Sequence, residues 1–463
     1  MRIAFITVGA AGMYCGSCLR DNTLARALLA RGHDVLLVPT YTPTRTDEPN
    51  VSLPRVFLGG INVYLQHKSA IFRHTPWFAD RLLDSAWLLN WASRFALKTD
   101  AAELGALTVS MLRGDEGPDH KEFVKLARWL ADEVRPDIVD LSNGLLIGLA
   151  APLRHLLNVP VVCTLSGEDL FLDQLPEPWH TESLALLRTR VADADAFITF
   201  NHYYARSMIE LLQIPEPKLY QVPLGINLEG HGRLRSHAQG DAINCESSTG
   251  RDSSGKDEDR AGQERTIGYL ARVCPEKGLH VLCEAFRILR QNPKYADCRL
   301  RLAGYLGGRD RPYWDTLRSQ IDQWGLSDAV EYAGELDRTG KIRFLQSLAV
   351  FSVPTVYRES KGLPILEAWA NGVPVVQPWH GVFTEMLNAT QGGILVPPND
   401  PQALADGIAQ LLDNESLRRE LGQRGRKAVE RNFTADRMAE ATLAVYSEVR
   451  SQRSEVRDQR SKA

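Results

Sequence analysis

Residues 349–377 read AVFSVPTVYRESKGLPILEAWANGVPVVQ, and their grammar decides the fold. Ala349–Pro354 is a short apolar run, predicted as a strand. A polar turn follows, and Gly362–Asn371 carries the apolar spacing of a helix. Gly372 stops that helix, and Val373–Gln377 is a second β-branched strand. A strand, a helix and a strand within so few residues form a crossover unit of a parallel sheet.

The pattern repeats in both directions. Downstream of residue 265 the strands are Thr266–Leu270, Leu300–Ala303 and Val330–Tyr332, with a helix over Gly278–Arg290. Upstream, Ile3–Val8, Val35–Val38, Ile138–Leu141, Val161–Leu165, Ala196–Phe200 and Tyr220–Val222 read as strands, with a helix over Asn22–Arg31. Between the two sets, residues 232–265 are rich in Ser, Gly, Asp and Arg and almost free of large apolar side chains. Such a segment buries too little surface to offset its ordering entropy. The expected class is α/β, with two doubly wound units facing across a cleft. Ligands of such sheets bind at the carboxyl ends of the strands.

The chain has 463 residues, 24% charged, with a formal net charge of -3. No basic block suggests a nucleic-acid partner. The apolar run at the N-terminus is too short for a signal-peptide core, and no stretch of about 20 apolar residues predicts a spanning helix. The seven cysteines, at 15, 18, 163, 245, 274, 283 and 298, are odd in number and irregular in spacing. That pattern fits reduced thiols of a cytoplasmic protein rather than a disulfide framework.

Within the opening stretch, Glu359 sits in the loop and Glu367 more than one turn into the helix. The amides of Gly362 and Leu363 stand at the helix start, where unpaired N–H groups and the positive end of the dipole favour an anion. Carboxylates accept hydrogen bonds from sugar hydroxyls, and amides donate to phosphate. Read blandly, the same stretch is a capped helix with two unrelated acids. A second loop, Tyr269-Leu-Ala-Arg272-Val-Cys-Pro-Glu-Lys277-Gly278, follows the first strand of the second unit. Arg272 and Lys277 flank it just before a helix, so both cations can face one pocket and neutralise a diphosphate without a metal.

These motifs together resemble the family-four retaining glycosyltransferases of the GT-B fold. The resemblance includes Glu-Ala-Trp-Ala-Asn-Gly-Val-Pro-Val-Val from Glu367, the Gly381–Glu385 segment and Gly392-Gly393 through Asp400. It covers nearly all of 266–430 and, more loosely, the first domain. It implies that Arg272 and Lys277 hold the donor diphosphate, that Glu359 is catalytic beside the donor sugar, and that Glu367 binds the ribose hydroxyls. Gly362 and Leu363 would touch sugar and phosphate. It also implies a nucleoside-diphosphate sugar as substrate rather than a cofactor, no metal, and front-face attack with retention at the sugar.

In the first domain, Arg31-Gly32-His33-Asp34-Val35 closely matches the family's helix ending. Cys15 replaces the first glycine of the family's pair, and Gly16 keeps the second, which would approach donor phosphate or acceptor. Many relatives carry a histidine where Ser166 stands, so Ser166, Glu168 and Asp169 are the candidate sugar or acceptor contacts.

The expected domains are residues 1–231 (acceptor side, with a helical insertion near 70–130), 232–265 (a disordered linker or insertion), 266–432 (nucleotide-sugar side), a helix at 433–450 crossing back to the first domain, and a charged tail at 451–463. The acceptor is a glycan, a lipid-linked molecule or a small molecule. Residues 77–97 are dense in Trp and Phe and read first as a helical hairpin on the first domain, and alternatively as a peripheral contact with the inner membrane face.

Other signals rank lower. Cys15-Gly-Ser-Cys18 has redox spacing at a strand-to-helix junction. The Gly9/Gly12 pair lacks the acid that a dinucleotide fold places after its second strand. Asp193 and Asp195 read as a helix-to-strand junction ahead of a metal-binding pair. A nucleotide-sugar-binding protein without transfer activity is the alternative to an enzyme, and a GT-B epimerase or phosphorylase is a third reading.

Overall fold

The computed structural model describes residues 1–9, 14–54, 56–57, 101–232 and 265–462. The expectations for 77–97 and for most of 232–265 lie outside these residues. The chain forms two compact units, Met1–Asn227 with Phe433–Ala463, and Leu228–Asn432.

The first unit is built on a six-stranded sheet of β1 (Arg2–Thr7), β2 (Asp34–Pro39), β3 (Ile138–Leu141), β4 (Val161–Thr164), β5 (Ala196–Thr199) and β6 (Leu219–Gln221), in the order β2-β1-β3-β4-β5-β6. Every pairing is parallel. Strands β3, β4 and β5 are buried at every position, whereas the edge strand β6 is not buried at any. That difference explains why the inner strands read as unbroken apolar runs: helices cover both faces. Those helices include α1 (Gly16–Ala30), α2 (Ala101–Arg113), α3 (His120–Trp129), α4 (Ala150–Leu157), α5 (Glu168–Asp173), α6 (Trp179–Arg190) and α7 (His202–Leu212).

The second unit repeats the plan with β7 (Thr266–Leu270), β8 (Arg299–Ala303), β9 (Val330–Tyr332), β10 (Val350–Phe351), β11 (Val375–Pro378) and β12 (Gly393–Val396), all parallel. Their order is β12-β11-β10-β7-β8-β9. Counted from its own first strand this is 6-5-4-1-2-3, the doubly wound order whose direction reverses between the first and fourth strands. Its helices are α8 (Leu279–Arg290), α9 (Arg311–Gln323), α10 (Arg338–Gln346), α11 (Leu363–Ala370), α12 (Gly381–Thr390), α13 (Pro401–Asp413) and α14 (Glu415–Asn432). The loops after β7 and β10 therefore flank the reversal, and these are the loops that carry Lys277 and Glu359.

The chain then returns to the first unit as α15 (Ala435–Lys462). The helix expected to end near residue 450 continues through the charged heptapeptides, a correction to the tail assigned to 451–463. Glu, Arg and Gln have good helix propensity. Arg450 and Arg453 also pair with Asp137 (3.4 Å) and Asp195 (2.8 Å) of the first unit. Asp195 Oδ2 also accepts from the Val161 N–H (2.9 Å), and Oδ1 lies 3.5 Å from Arg154. Deeper in, the Tyr446 hydroxyl donates to Asp140 Oδ2 at 2.5 Å, and Thr164 donates to Oδ1 at 3.0 Å.

Burial pushes the Asp140 carboxyl up to about 7, against the lowering effects of Tyr446, Arg20 and Thr164. The folded chain keeps this proton up to about pH 7, and the unfolded chain loses it near the ordinary value of 3.8. Between those values the folded state binds more protons, so this group's contribution to stability falls as pH rises. Asp140→Asn should remove that slope. Relative to wild type, the variant's urea midpoint should improve steadily from about pH 4 to about pH 7. A difference that stays constant over this range contradicts the assignment.

Candidate functional site at the switch point of the second sheet

The loop after β7 ends in Lys277, and Gly278 then opens α8 with φ +70. A Cβ on Gly278 would lie 1.8 Å from the Pro354 carbonyl oxygen, in the loop after β10. Glycine is thus required twice over, by the left-handed backbone and by the close approach of the two loops. This approach delivers Lys277 to Glu359. The ammonium donates to Glu359 Oε2 at 2.6 Å and to the Tyr357 hydroxyl at 2.5 Å, and Tyr357 donates to the same carboxylate oxygen at 2.5 Å. The Lys361 amide donates to Oε1 at 3.1 Å.

Glu359 is only 6% exposed. Burial alone would raise its pKa, but Lys277 and Tyr357 outweigh that effect and hold the carboxyl at about 2. Lys277 is shifted upward for the same reason, with Glu359 and Tyr357 overcoming its burial. The pair is an ammonium and a carboxylate at any neutral pH. A lysine has three N–H donors. Among the described residues two are committed here, and the side chain remains a quarter exposed.

The Glu359 loop is clamped from its other side. Gly381, with φ +56, lies so close that a Cβ would sit 2.7 Å from the Glu359 backbone N and O, and the Val382 amide donates to the Glu359 carbonyl at 2.8 Å. Two residues beyond Lys361, Leu363 starts α11 with Gly362 as its N-cap in the left-handed region. No side chain caps this end.

Two expected diphosphate or ribose ligands have other partners. Arg272 is half exposed and makes loose ion pairs with Glu276 (3.6 Å) and Asp310 (3.7 Å). Glu367 is buried and joined to Lys341, itself 7% exposed. Tyr357 and Lys341 are not among the residues that the sequence alone points to. Tyr357 stands two residues before Glu359, which is a usable signal. Lys341 lies on α10, far from Glu367 in the chain, and nothing local announces it.

In the first unit the structure groups the remaining candidates around the ends of β1, β3 and β4. Gly16 is the first residue of α1. Ser17 beside it reaches Ser166 (Oγ to Oγ 3.5 Å), which also accepts from Asn143 Nδ2 at 3.3 Å. Glu168 is 1% exposed, and its carboxylate accepts from the Gly144, Ser166 and Gly167 amides. That arrangement ties the loops after β3 and β4 together. Tyr204, another residue missed, places its hydroxyl 3.0 Å from both Glu168 and Asp169. Burial raises the Asp169 carboxyl. Among the described residues no group of three or more His, Cys, Asp or Glu side chains is arranged to hold a metal.

Residues 251–428 match the family model of glycosyl transferases group 1, and residues 107–229 match that of glycosyltransferase family 4. Residues 251–428 thus form a group 1 glycosyltransferase domain. Each unit is one of the two Rossmann-like bodies of a GT-B protein. Among curated relatives, the phosphatidyl-myo-inositol mannosyltransferase of Mycobacterium leprae is 32% identical over 193 residues, covering 42% of this chain and 49% of that protein. The putative colanic acid biosynthesis glycosyltransferase WcaL of Escherichia coli is 35% identical over 171 residues, covering 35% and 40%. The match thus spans about half or less of these relatives' length. Among solved structures, sucrose-phosphate synthase from Thermosynechococcus elongatus superposes with TM-score 0.69 at 18% identity, covering 98% of this chain and all of that one. Anabaena HepE, crystallised with UDP and glucose, gives 0.63 at 15% identity, covering 96% and 99%. At these identities the likeness concerns the fold.

Gly325 has nearly the same φ as Gly278, +69 against +70, but a Cβ there meets nothing within 4 Å. Gly325→Ala should therefore cost only backbone strain, about 1 kcal/mol. Gly278→Ala adds a collision with a carbonyl and should cost about 2 kcal/mol more. Urea unfolding of the two variants measures the difference, and equal losses would show that the loops are not in forced contact.

Proposed function

We propose that the protein is a retaining, metal-independent transferase that moves a hexose-type sugar from a nucleoside-diphosphate sugar to a glycan, lipid-linked or small-molecule acceptor. The observation that carries this reading is the Lys277 ammonium. It stands at the sheet's reversal point with one N–H uncommitted among the described residues, fixed by a buried, ionised carboxylate.

In this reading Lys277 takes an oxygen of the donor diphosphate through its third donor. Arg272 exchanges its long ion pairs for a charge-assisted bond to phosphate, and the Gly362 and Leu363 amides at the head of α11 add partial positive charge. Glu367, with Lys341 beside it, faces the ribose hydroxyls. In the first unit, Gly16, Ser166 and Asp169 serve the sugar or acceptor.

Glu359 cannot supply a proton to the departing group, because Lys277 and Tyr357 keep it ionised far below neutral pH. The same hydrogen bonds occupy its oxygens and blunt it as a nucleophile. Its negative charge instead favours a developing oxocarbenium ion, while the cations stabilise the departing diphosphate. The leaving phosphate oxygen is then the base that takes the acceptor's proton. This division of labour supports front-face attack and retention at the anomeric carbon.

Thermal-shift screening against UDP, GDP, ADP and their sugars should identify the donor: a true ligand at about 100 times its dissociation constant stabilises by about 2.7 kcal/mol. With that donor, Lys277→Ala and Glu359→Ala should each lower transfer by about 100-fold or more, with circular dichroism unchanged. Transfer should persist in excess EDTA. Full activity in either variant, or a strict magnesium requirement, contradicts the proposal. Donor binding without turnover over a broad acceptor panel favours a binding protein.

A further inference from the structure

Helix α1 begins with Cys15-Gly16-Ser17-Cys18. Cys15 is its N-cap, with extended backbone (φ -110, ψ 130), and the Leu19 amide donates to the Cys15 carbonyl at 2.9 Å. Cys18 is therefore the third helical residue. The Cys15 side chain makes no capping hydrogen bond to the helix start. One turn of helix sets the two Cα atoms about 5 Å apart, inside the span that a disulfide bridges.

The two thiols also differ in access. Cys15 is half-buried and Cys18 is 2% exposed. The other described cysteines, 163, 274, 283 and 298, are buried, and burial pushes each of their thiols upward, Cys298 to about 11. Cys15 alone among the described cysteines combines exposure with a helix N-terminus. The first turn of α1 holds no acidic residue to neutralise its positive end, and such an end favours a thiolate. The Asp21 carboxylate repels a negative charge on Cys15, and Arg20, ion-paired to Asp21 at 2.5 Å, offsets it.

We propose that Cys15 and Cys18 form a reversible intrachain disulfide, a redox site at the head of α1 that accepts a small-molecule disulfide such as glutathione disulfide as oxidant. The Cys15 thiolate attacks one sulfur of the oxidant, whose S–S bond breaks and releases one thiolate. Cys18 gives its proton to solvent and attacks Cys15 Sγ in the mixed disulfide, releasing the second thiolate. Two protein thiols are oxidised and one small disulfide is reduced to two thiols. The bond encloses Gly16 and Ser17, so it fixes the turn whose Ser17 reaches Ser166.

Peptide mapping tests this without any donor or transfer step, so its failure and failure of the transferase reading are separate outcomes. The protein is equilibrated in reduced or oxidised glutathione, quenched in acid, denatured, alkylated and digested with trypsin. The peptide Ile3–Arg20 contains both thiols and no other cysteine. It should carry two alkyl groups from the reduced sample. From the oxidised sample it should carry none and weigh two hydrogens less, and dithiothreitol should reverse the change. Cys18→Ser should instead trap a glutathione adduct on Cys15, and Cys18→Ala serves if the serine variant fails to fold. A wild-type peptide that keeps two alkylatable thiols in oxidised glutathione overturns the proposal. So does one that stops at the adduct or pairs with another peptide.

Discussion

A half-buried ammonium beside a buried carboxylate is the constraint around which the second unit is arranged. Removing Lys277 would strand the Glu359 charge out of water, a penalty of several kcal/mol in such settings. The pair is formed only because the loops after β7 and β10 leave neighbouring strands at the reversal of the sheet. Gly278 lets those loops touch, Gly381 holds the Glu359 backbone from behind, and Tyr357 closes the triangle of hydrogen bonds. Each of these features serves one geometry. A cation is kept charged and stationary, with a donor to spare, where a parallel sheet receives ligands.

Much of this was legible in the chain. Buried parallel strands announce themselves as apolar runs, so the alternation of strand and helix gave both units. Lys277 and Glu359 stood out because each lies in a loop between a strand and a helix. What the sequence could not convey was pairing at a distance. Glu367 was read as open to ribose, yet Lys341 from α10 already neutralises it. Arg272 was grouped with Lys277 by proximity in the chain, but its ion pairs are with Glu276 and Asp310. Glu168 is a candidate contact because Ser166 stands where relatives carry a histidine. The fold turns it inward, onto three backbone amides.

The first unit shows the same use of polar groups for positioning. Glu168 and Tyr204 organise the loops after β3 and β4, and Asp140 anchors Tyr446 of α15. The terminal heptapeptides illustrate how composition misleads. Their charges suggest a solvated tail, yet two of the arginines pair with aspartates of the first unit. A charged surface stripe and a docking stripe look alike until the facing aspartates are known.

The central claim is that Lys277 and Glu359 act as one element on the donor. A double-mutant cycle with Lys277→Met and Glu359→Gln, read by calorimetric titration with the nucleoside-diphosphate sugar that binds, tests it most directly. The account predicts that the two losses are not additive, with a coupling of about 0.5–3 kcal/mol. Additive losses, or unchanged affinity in both single variants, would contradict it.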